Sequence, residues 1–164
     1  MLNKKTKVSV IGQGYVGLPL TIEFSKKYKK VVGFDNSLQR IKQINQKIDV
    51  NKEVSKFAFK KAKNVKFTNE EESIKDSDFF IVTVPTPIDK KNLPDLESIK
   101  SASKIVGKQI KKNSIVIYES TVFPGCTEEI CVPILEKNSG LKYNKDFYCG
   151  YSPERINVGD KRFV

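Results

Sequence analysis

Val8-Ser-Val-Ile-Gly12-Gln-Gly14-Tyr-Val-Gly17-Leu-Pro-Leu20, followed after a lysine-rich stretch by Val31-Val-Gly-Phe-Asp35, decides the reading of this chain. A short β-branched strand runs into three glycines and then into a helical pattern. A second strand follows and ends in an acid. The glycines have separate tasks: Gly12 permits a tight turn, Gly14 lets a pyrophosphate approach the backbone, and Gly17 lets helix and strand pack closely. The start of the helix offers free N–H groups and a positive dipole end to phosphates. Asp35, 21 residues past Gly14, is placed to accept hydrogen bonds from a ribose. Taken together these features predict a dinucleotide site contacted by Gly12, Gln13, Gly14, Tyr15, Val16, Gly17 and Asp35. NAD is favoured over NADP because Asp35 would repel a 2′-phosphate; Arg40 is read as flanking the adenosine half.

Outward from that segment the chain alternates strand and helix. Strands are expected near 7–11, 31–34, 65–67, 79–84, 114–118 and 147–150, and helices near 15–28, 38–47, 53–61, 70–74, 96–110 and 127–136. This order predicts one α/β domain over 1–164, a doubly wound, mostly parallel sheet of about six strands with helices on both faces, of the Rossmann type. Pro19 sits early enough in its helix to cost little, whereas Pro133 is expected to kink the last helix. Asp95 is a plausible helix cap after the polar stretch 88–95.

Ligands of such sheets bind beyond the carboxyl ends of the strands. That rule gathers scattered polar segments into one edge. Thr83-Val84-Pro85-Thr86-Pro87 follows the fourth strand, and its rigid backbone and hydroxyls are candidates to line the cofactor cleft, Thr86 first among them. Ser120 and Thr121 follow the fifth strand, either capping the chain or facing the nicotinamide end. Glu154, Arg155 and Asn157 follow the sixth, either as a surface ion pair or as a substrate-binding trio with Glu154 as acid/base.

The 164 residues carry a net charge of +11, nearly all of it lysine, with arginine only at 40, 155 and 162. The lysines read as solvated helix ends and loops, without the arginine–aromatic interleaving of nucleic-acid binders, although a positive field would help draw in anionic ligands. Histidine is absent, which excludes Ser-His-Asp and Cys-His machinery and makes a metal site unexpected. Cys126, Cys131 and Cys149 have no CxxC spacing and predict free thiols, Cys126 as a packing residue. The N-terminus runs directly into the first strand and no apolar run suits a membrane span, so a cytoplasmic chain without membrane or nucleic-acid partners is expected.

Five segments taken together resemble the UDP-glucose/GDP-mannose dehydrogenase family: Gly12-Gln-Gly-Tyr-Val-Gly-Leu-Pro19, Val82-Thr-Val-Pro-Thr-Pro87, Tyr118-Glu-Ser-Thr-Val122, Thr127-Glu-Glu-Ile-Cys-Val-Pro-Ile-Leu-Glu136 and Tyr151-Ser-Pro-Glu-Arg-Ile-Asn157. The last two are most similar to the Vi-antigen type of UDP-N-acetylhexosamine 6-dehydrogenase, with Val158 where that type usually has proline. The resemblance implies an NAD-dependent, four-electron oxidation of a sugar C6 alcohol to a carboxylate, using two NAD molecules and a cysteine-bound thioester. It implies that Asp35, Arg40, Thr86 and Thr121 are NAD ligands, that Thr121 and Glu154 position or activate water, and that Arg155 and Asn157 border a UDP-sugar. It further implies that the nucleophilic cysteine, a dimerisation helix and a UDP-binding domain lie outside 1–164, in a parent that is a homo-oligomer. The alternatives are the cofactor domain of another β-hydroxyacid dehydrogenase, or a non-catalytic NAD-sensing module.

Overall fold

The computed structural model describes residues 5–88 and 93–153. Six strands, β1 (Lys7–Ile11), β2 (Lys30–Phe34), β3 (Val65–Thr68), β4 (Phe79–Val82), β5 (Ile115–Tyr118) and β6 (Tyr148–Tyr151), form one sheet in the order β3-β2-β1-β4-β5-β6. Every named pairing is parallel. The chain therefore winds outward from β1 in one direction and from β4 in the other, and the order reverses between these two strands, where such sheets open a ligand crevice.

Alternation of side chains along the strands feeds two cores. On one face Val8 and Val10 of β1 pack with Ile81 of β4, while Leu18 and Ile22 of α1 (Gly17–Lys27) pack with Ile44 of α2 (Leu38–Asn45) and Phe59 of α3 (Lys56–Lys61). On the other face Ile11, Phe80, Val82, Val116 and Tyr118 meet α4 (Glu97–Gly107) and α5 (Val132–Ser139) through Ile99, Val106 and Leu135. Phe80, Tyr118 and Leu135 are fully buried, each contributing about 1.5–3 kcal/mol.

Where elements differ from the sequence-based bounds, local chemistry explains the difference. The helix expected from residue 53 begins at Lys56, because Ser55 caps it by accepting the Ala58 N–H and the preceding residues are folded around Asp49. The strand expected to reach residue 84 stops at Val82; Thr83 spends its hydroxyl on the carbonyls of Ile11 and Gly12, and Pro85 cannot continue a ladder. The segment 70–74 is a 3-10 turn over Glu71–Ile74. Pro133 falls within one continuous helical run: a π turn over Thr127–Cys131, in which the Val132 N–H reaches back to the Thr127 carbonyl, passes directly into α5, so the helix is locally widened just ahead of the proline. Asp95 accepts the Glu97 N–H, one position upstream of the backbone N-cap Leu96.

The three thiols are free, with Cys126 and Cys131 fully buried. Burial pushes Cys131 up to about 11 and Cys149 up to about 12, and raises Cys126 as well. These are packing thiols, whose burial disfavours the thiolate, the reactive form. Treatment of the folded protein with an aromatic disulfide reagent at pH 8 is expected to label less than one thiol per chain within minutes. Denaturation should release all three cysteines; prompt labelling of Cys126 or Cys131 in the native state would contradict this packing.

Candidate functional site

The glycine loop is built from its backbone outward. Gly12 has φ +94°, in the left-handed region where a side chain is strained, and its N–H pairs with the Phe34 carbonyl at 2.8 Å. A Cβ on Gly17 would stand 1.9 Å from the Gly12 carbonyl oxygen and 2.4 Å from Thr83 Oγ1. Gly14 is the opposite case, because nothing lies within 4 Å of where its Cβ would be. The first and third glycines thus serve the fold, and the middle one leaves space over the loop.

Helix α1 begins at the cleft with Val16 as its N-cap, no capping side chain and no acid in its first turn. The Leu18 N–H is already given to the Gly14 carbonyl at 3.2 Å and Pro19 has no N–H, so what this end offers an anion is the backbone N–H groups of the glycine loop ahead of Leu18 and the positive dipole end. Asp35 stands at the end of β2, where its Oδ2 accepts the Gln13 N–H at 2.8 Å and its Oδ1 accepts the Ser37 N–H at 2.9 Å. Its carboxylate is held in place before any ligand arrives.

Two connected hollows lie over this loop. One, of about 310 Å³, is lined by Gly12, Gly14, Asp35, Val84 and Pro85 among others. The second, of about 260 Å³, shares Gly14, Val84 and Pro85 and adds Tyr15, Val16, Thr86, Ser120 and Thr121. The structure therefore brings nearly all the described candidates to one edge. Gln13 is an exception: it is fully buried beneath the loop, its Nε2 donating to the Val10 and Gly12 carbonyls. Gly17 packs against the loop from inside α1. Ser120 donates its hydroxyl to the Val84 carbonyl at 2.7 Å, so it braces the proline segment, whereas Thr121 beside it is exposed. Thr86 Oγ1 is buried with no hydrogen-bond partner among the described residues. A buried hydroxyl of this kind is costly unless a ligand completes it.

Arg40 is only 11 % exposed and lies under the loop. Its Nε donates to the Gln13 carbonyl at 2.7 Å and its Nη2 to Asp49 Oδ1 at 2.8 Å. Burial works to raise the Asp49 carboxyl, but the hydrogen bonds from Arg40 and from the Val54 and Asn51 N–H groups outweigh it and hold the group below its ordinary value. Glu154, Arg155 and Asn157 lie outside the described residues.

Sequence reasoning missed one wall of the cleft. Ser98, Ser101, Ala102 and Ile105 of α4 line the larger hollow, a small-residue face whose three- and four-residue spacing is visible in the chain. The charge, too, has a direction that residue order alone hides. Among the described residues, those lining the two hollows include no lysine or arginine, and their charged members are Asp35 and Glu119. The lysines gather at the opposite, amino edge of the sheet: Lys26 and Lys27 end α1, Lys60 and Lys61 end α3, and Lys7, Lys29, Lys30 and Lys63 border a shallow groove below β1, β2 and β3. Among the described residues, attraction of an anion at the cleft rests on backbone N–H groups and the helix end.

The sheet order, the glycine turn feeding α1 and the acid ending β2 define a dinucleotide-binding domain of the Rossmann class. The sequence profile described as "UDP-glucose/GDP-mannose dehydrogenase family, NAD binding domain" matches residues 6–162, and this chain belongs to that family, with NAD as its cofactor. It is 52 % identical over 158 residues to the UDP-N-acetyl-D-glucosamine 6-dehydrogenase of Salmonella typhi, and 55 % identical over 158 residues to the protein of the same name from Pseudomonas aeruginosa; each match covers 96 % of this chain and 37 % of the relative. Among solved structures, the UDP-D-ManNAc dehydrogenase of Pyrococcus horikoshii superposes with a TM-score of 0.85 at 33 % identity, covering 94 % of this chain and 37 % of that one. The chain spans a little over a third of the length of these relatives. Its residues fit NAD: the open space over Gly14, the uncapped start of α1, the held Asp35 carboxylate and the unpartnered Thr86 hydroxyl all face or border one cleft. Among the described residues no helix is long and apolar enough to cross a membrane, and no group of His, Cys, Asp or Glu is arranged to hold a metal.

Proposed function

We propose that this chain is the cofactor-binding portion of an NAD-dependent UDP-N-acetylhexosamine 6-dehydrogenase, which oxidises the sugar C6 alcohol to the uronic acid with two NAD per turnover in surface polysaccharide synthesis. The observation that carries this reading is identity above 50 % to two relatives named UDP-N-acetyl-D-glucosamine 6-dehydrogenase, sustained over 158 residues. Other β-hydroxyacid dehydrogenases and a non-catalytic sensor account less well for that continuity.

Within this reading the chain's own residues bind and orient. Gly12 to Gly17 and the start of α1 receive the pyrophosphate, Asp35 takes the adenosine ribose, and Thr86 and Thr121 border the far end of the cleft where Ser120 fixes the backbone. NAD, when bound, supplies the hydride acceptor. Glu154 and Thr121 would position water, and Arg155 and Asn157 would border the nucleotide sugar. The nucleophile, the UDP-binding domain and the oligomer contacts belong to the part of the relatives' length that this chain does not span. The enzyme would work in the cytoplasm, where nucleotide sugars and reduced thiols occur together.

A graft tests the proposal. Residues 1–164 would replace the matching segment of the Salmonella typhi relative. The hybrid is expected to form two NADH per UDP-N-acetylglucosamine consumed, while residues 1–164 alone bind NAD without turnover. A hybrid that binds NAD and folds but oxidises no UDP-N-acetylhexosamine would refute the assignment, and turnover by 1–164 alone would refute the division of labour.

A further inference from the structure

Asp49 is hidden in a loop that contacts neither hollow, yet its carboxylate is among the most heavily used groups in the molecule. Its side chain is 1 % exposed. Oδ1 accepts Arg40 Nη2 at 2.8 Å and the Asn51 N–H at 3.2 Å, and Oδ2 accepts the Glu53 N–H at 2.9 Å and the Val54 N–H at 3.0 Å. Arg40, so held, gives its Nε to the carbonyl oxygen of Gln13 at 2.7 Å. That carbonyl belongs to the peptide unit whose N–H is carried by Gly14. In a trans peptide the C=O and N–H point in opposite directions, so holding the oxygen on Arg40 fixes the Gly14 N–H on the other side of the loop. Gly14 lines both hollows. The neighbouring Gln13 N–H is pinned from a second direction by Asp35.

We propose that Asp49 is a positioning residue of the dinucleotide site: acting through Arg40, it sets the Gln13–Gly14 peptide in its binding orientation before NAD arrives. The inference rests on the glycine loop being the NAD contact. A merely structural Asp49 would serve only the turn formed by Asn51, Glu53 and Val54. Arg40 Nη1 is buried with no partner among the described residues, so Arg40 is held through Nε on the loop carbonyl and Nη2 on Asp49. Two charge-assisted hydrogen bonds in series, both part-buried, are stiff enough to hold a peptide plane.

The test is NAD calorimetry on residues 1–164 together with amide resonances of Gln13 and Gly14, for Asp49→Asn, Arg40→Lys and the double variant, well below their melting temperatures. Each single variant is expected to weaken NAD about tenfold and to move the Gly14 amide, with Ile117 in β5 unmoved; the double variant should lose little more than either single one. Losses that multiply in the double variant would overturn the proposal, because the two residues would then act separately. So would an Asp49→Asn protein with native NAD affinity and an unmoved Gly14 amide. If Asp49→Asn does not fold, Arg40→Lys decides alone, since it keeps the turn contacts of Asp49 but loses the fork, and an unchanged Gly14 amide there overturns the proposal. Failure of the unaltered chain to bind NAD would instead refute the glycine-loop reading, and the inference with it.

Discussion

Gly17→Ala should cripple the fold, while Gly14→Ala should leave the fold intact and cripple the site. A methyl on Gly17 would meet the Gly12 carbonyl oxygen at 1.9 Å and Thr83 Oγ1 at 2.4 Å. The first contact is backbone, and it belongs to the residue that must keep φ +94° for the turn. Relief requires α1 to move off the sheet, which breaks the packing of Leu18 and Ile22. Overpacking a tight site costs 1–3 kcal/mol or somewhat more, so a loss of about 3 kcal/mol and a fall in Tm on the order of 10 °C are expected. Gly14 has free space around its missing Cβ, so alanine there should hold Tm within about 2 °C. The added methyl would project where a pyrophosphate must approach, and NAD affinity should drop at least about tenfold. Thermal melts and calorimetry on the two proteins settle the matter. Equal Tm losses, or native NAD affinity in Gly14→Ala, would show that the glycines do not divide their tasks in this way.

The turn at Gly12 and the close packing at Gly17 were legible from spacing alone, because three glycines between a β-branched strand and a helix leave few other conformations. The parallel, doubly wound sheet was legible for the same kind of reason: strands alternating with helical patterns need crossovers, and the short apolar runs at 8–11, 31–34 and 79–82 suit buried strands, whereas the order of the strands came only from the structure. The inward turn of Gln13 was not legible, because a glutamine between two glycines reads as exposed until the Val10 carbonyl is found beneath it. Nor was Asp49. A single aspartate in a polar loop carries no local signal, and its partners are fixed by how α2 and the following loop lie against the sheet. The gathering of lysines at the amino edge follows from topology. Helix ends that return to a parallel sheet all meet at one edge, and cations favour helix C-termini, so a charge that looks scattered along the chain becomes segregated in space.

Asp35→Asn is expected to weaken NAD by about ten- to a hundredfold, and the reason lies in what the carboxylate already does in the absence of ligand. Both oxygens are committed, Oδ2 to the Gln13 N–H and Oδ1 to the Ser37 N–H. A carboxylate has about four acceptor positions, so about two remain for ribose hydroxyls. An amide at the same place has one oxygen. Whichever way it is turned, its NH₂ faces either the Gln13 or the Ser37 N–H, a donor against a donor, and the glycine loop or the start of α2 must shift. Loss of a charged hydrogen bond of 1.5–3 kcal/mol corresponds to the stated range in affinity. The charge itself has a second effect: it opposes the 2′-phosphate of NADP, so removing it should narrow the preference for NAD over NADP even as NAD binding weakens. A plain loss of stability would depress both cofactors together and leave their ratio alone. Calorimetric titration of the unaltered and Asp35→Asn chains with NAD and NADP separates the two explanations. If the unaltered chain prefers NADP, or if the ratio does not move in the variant, Asp35 is a brace for the loop and is not the ribose-reading acid.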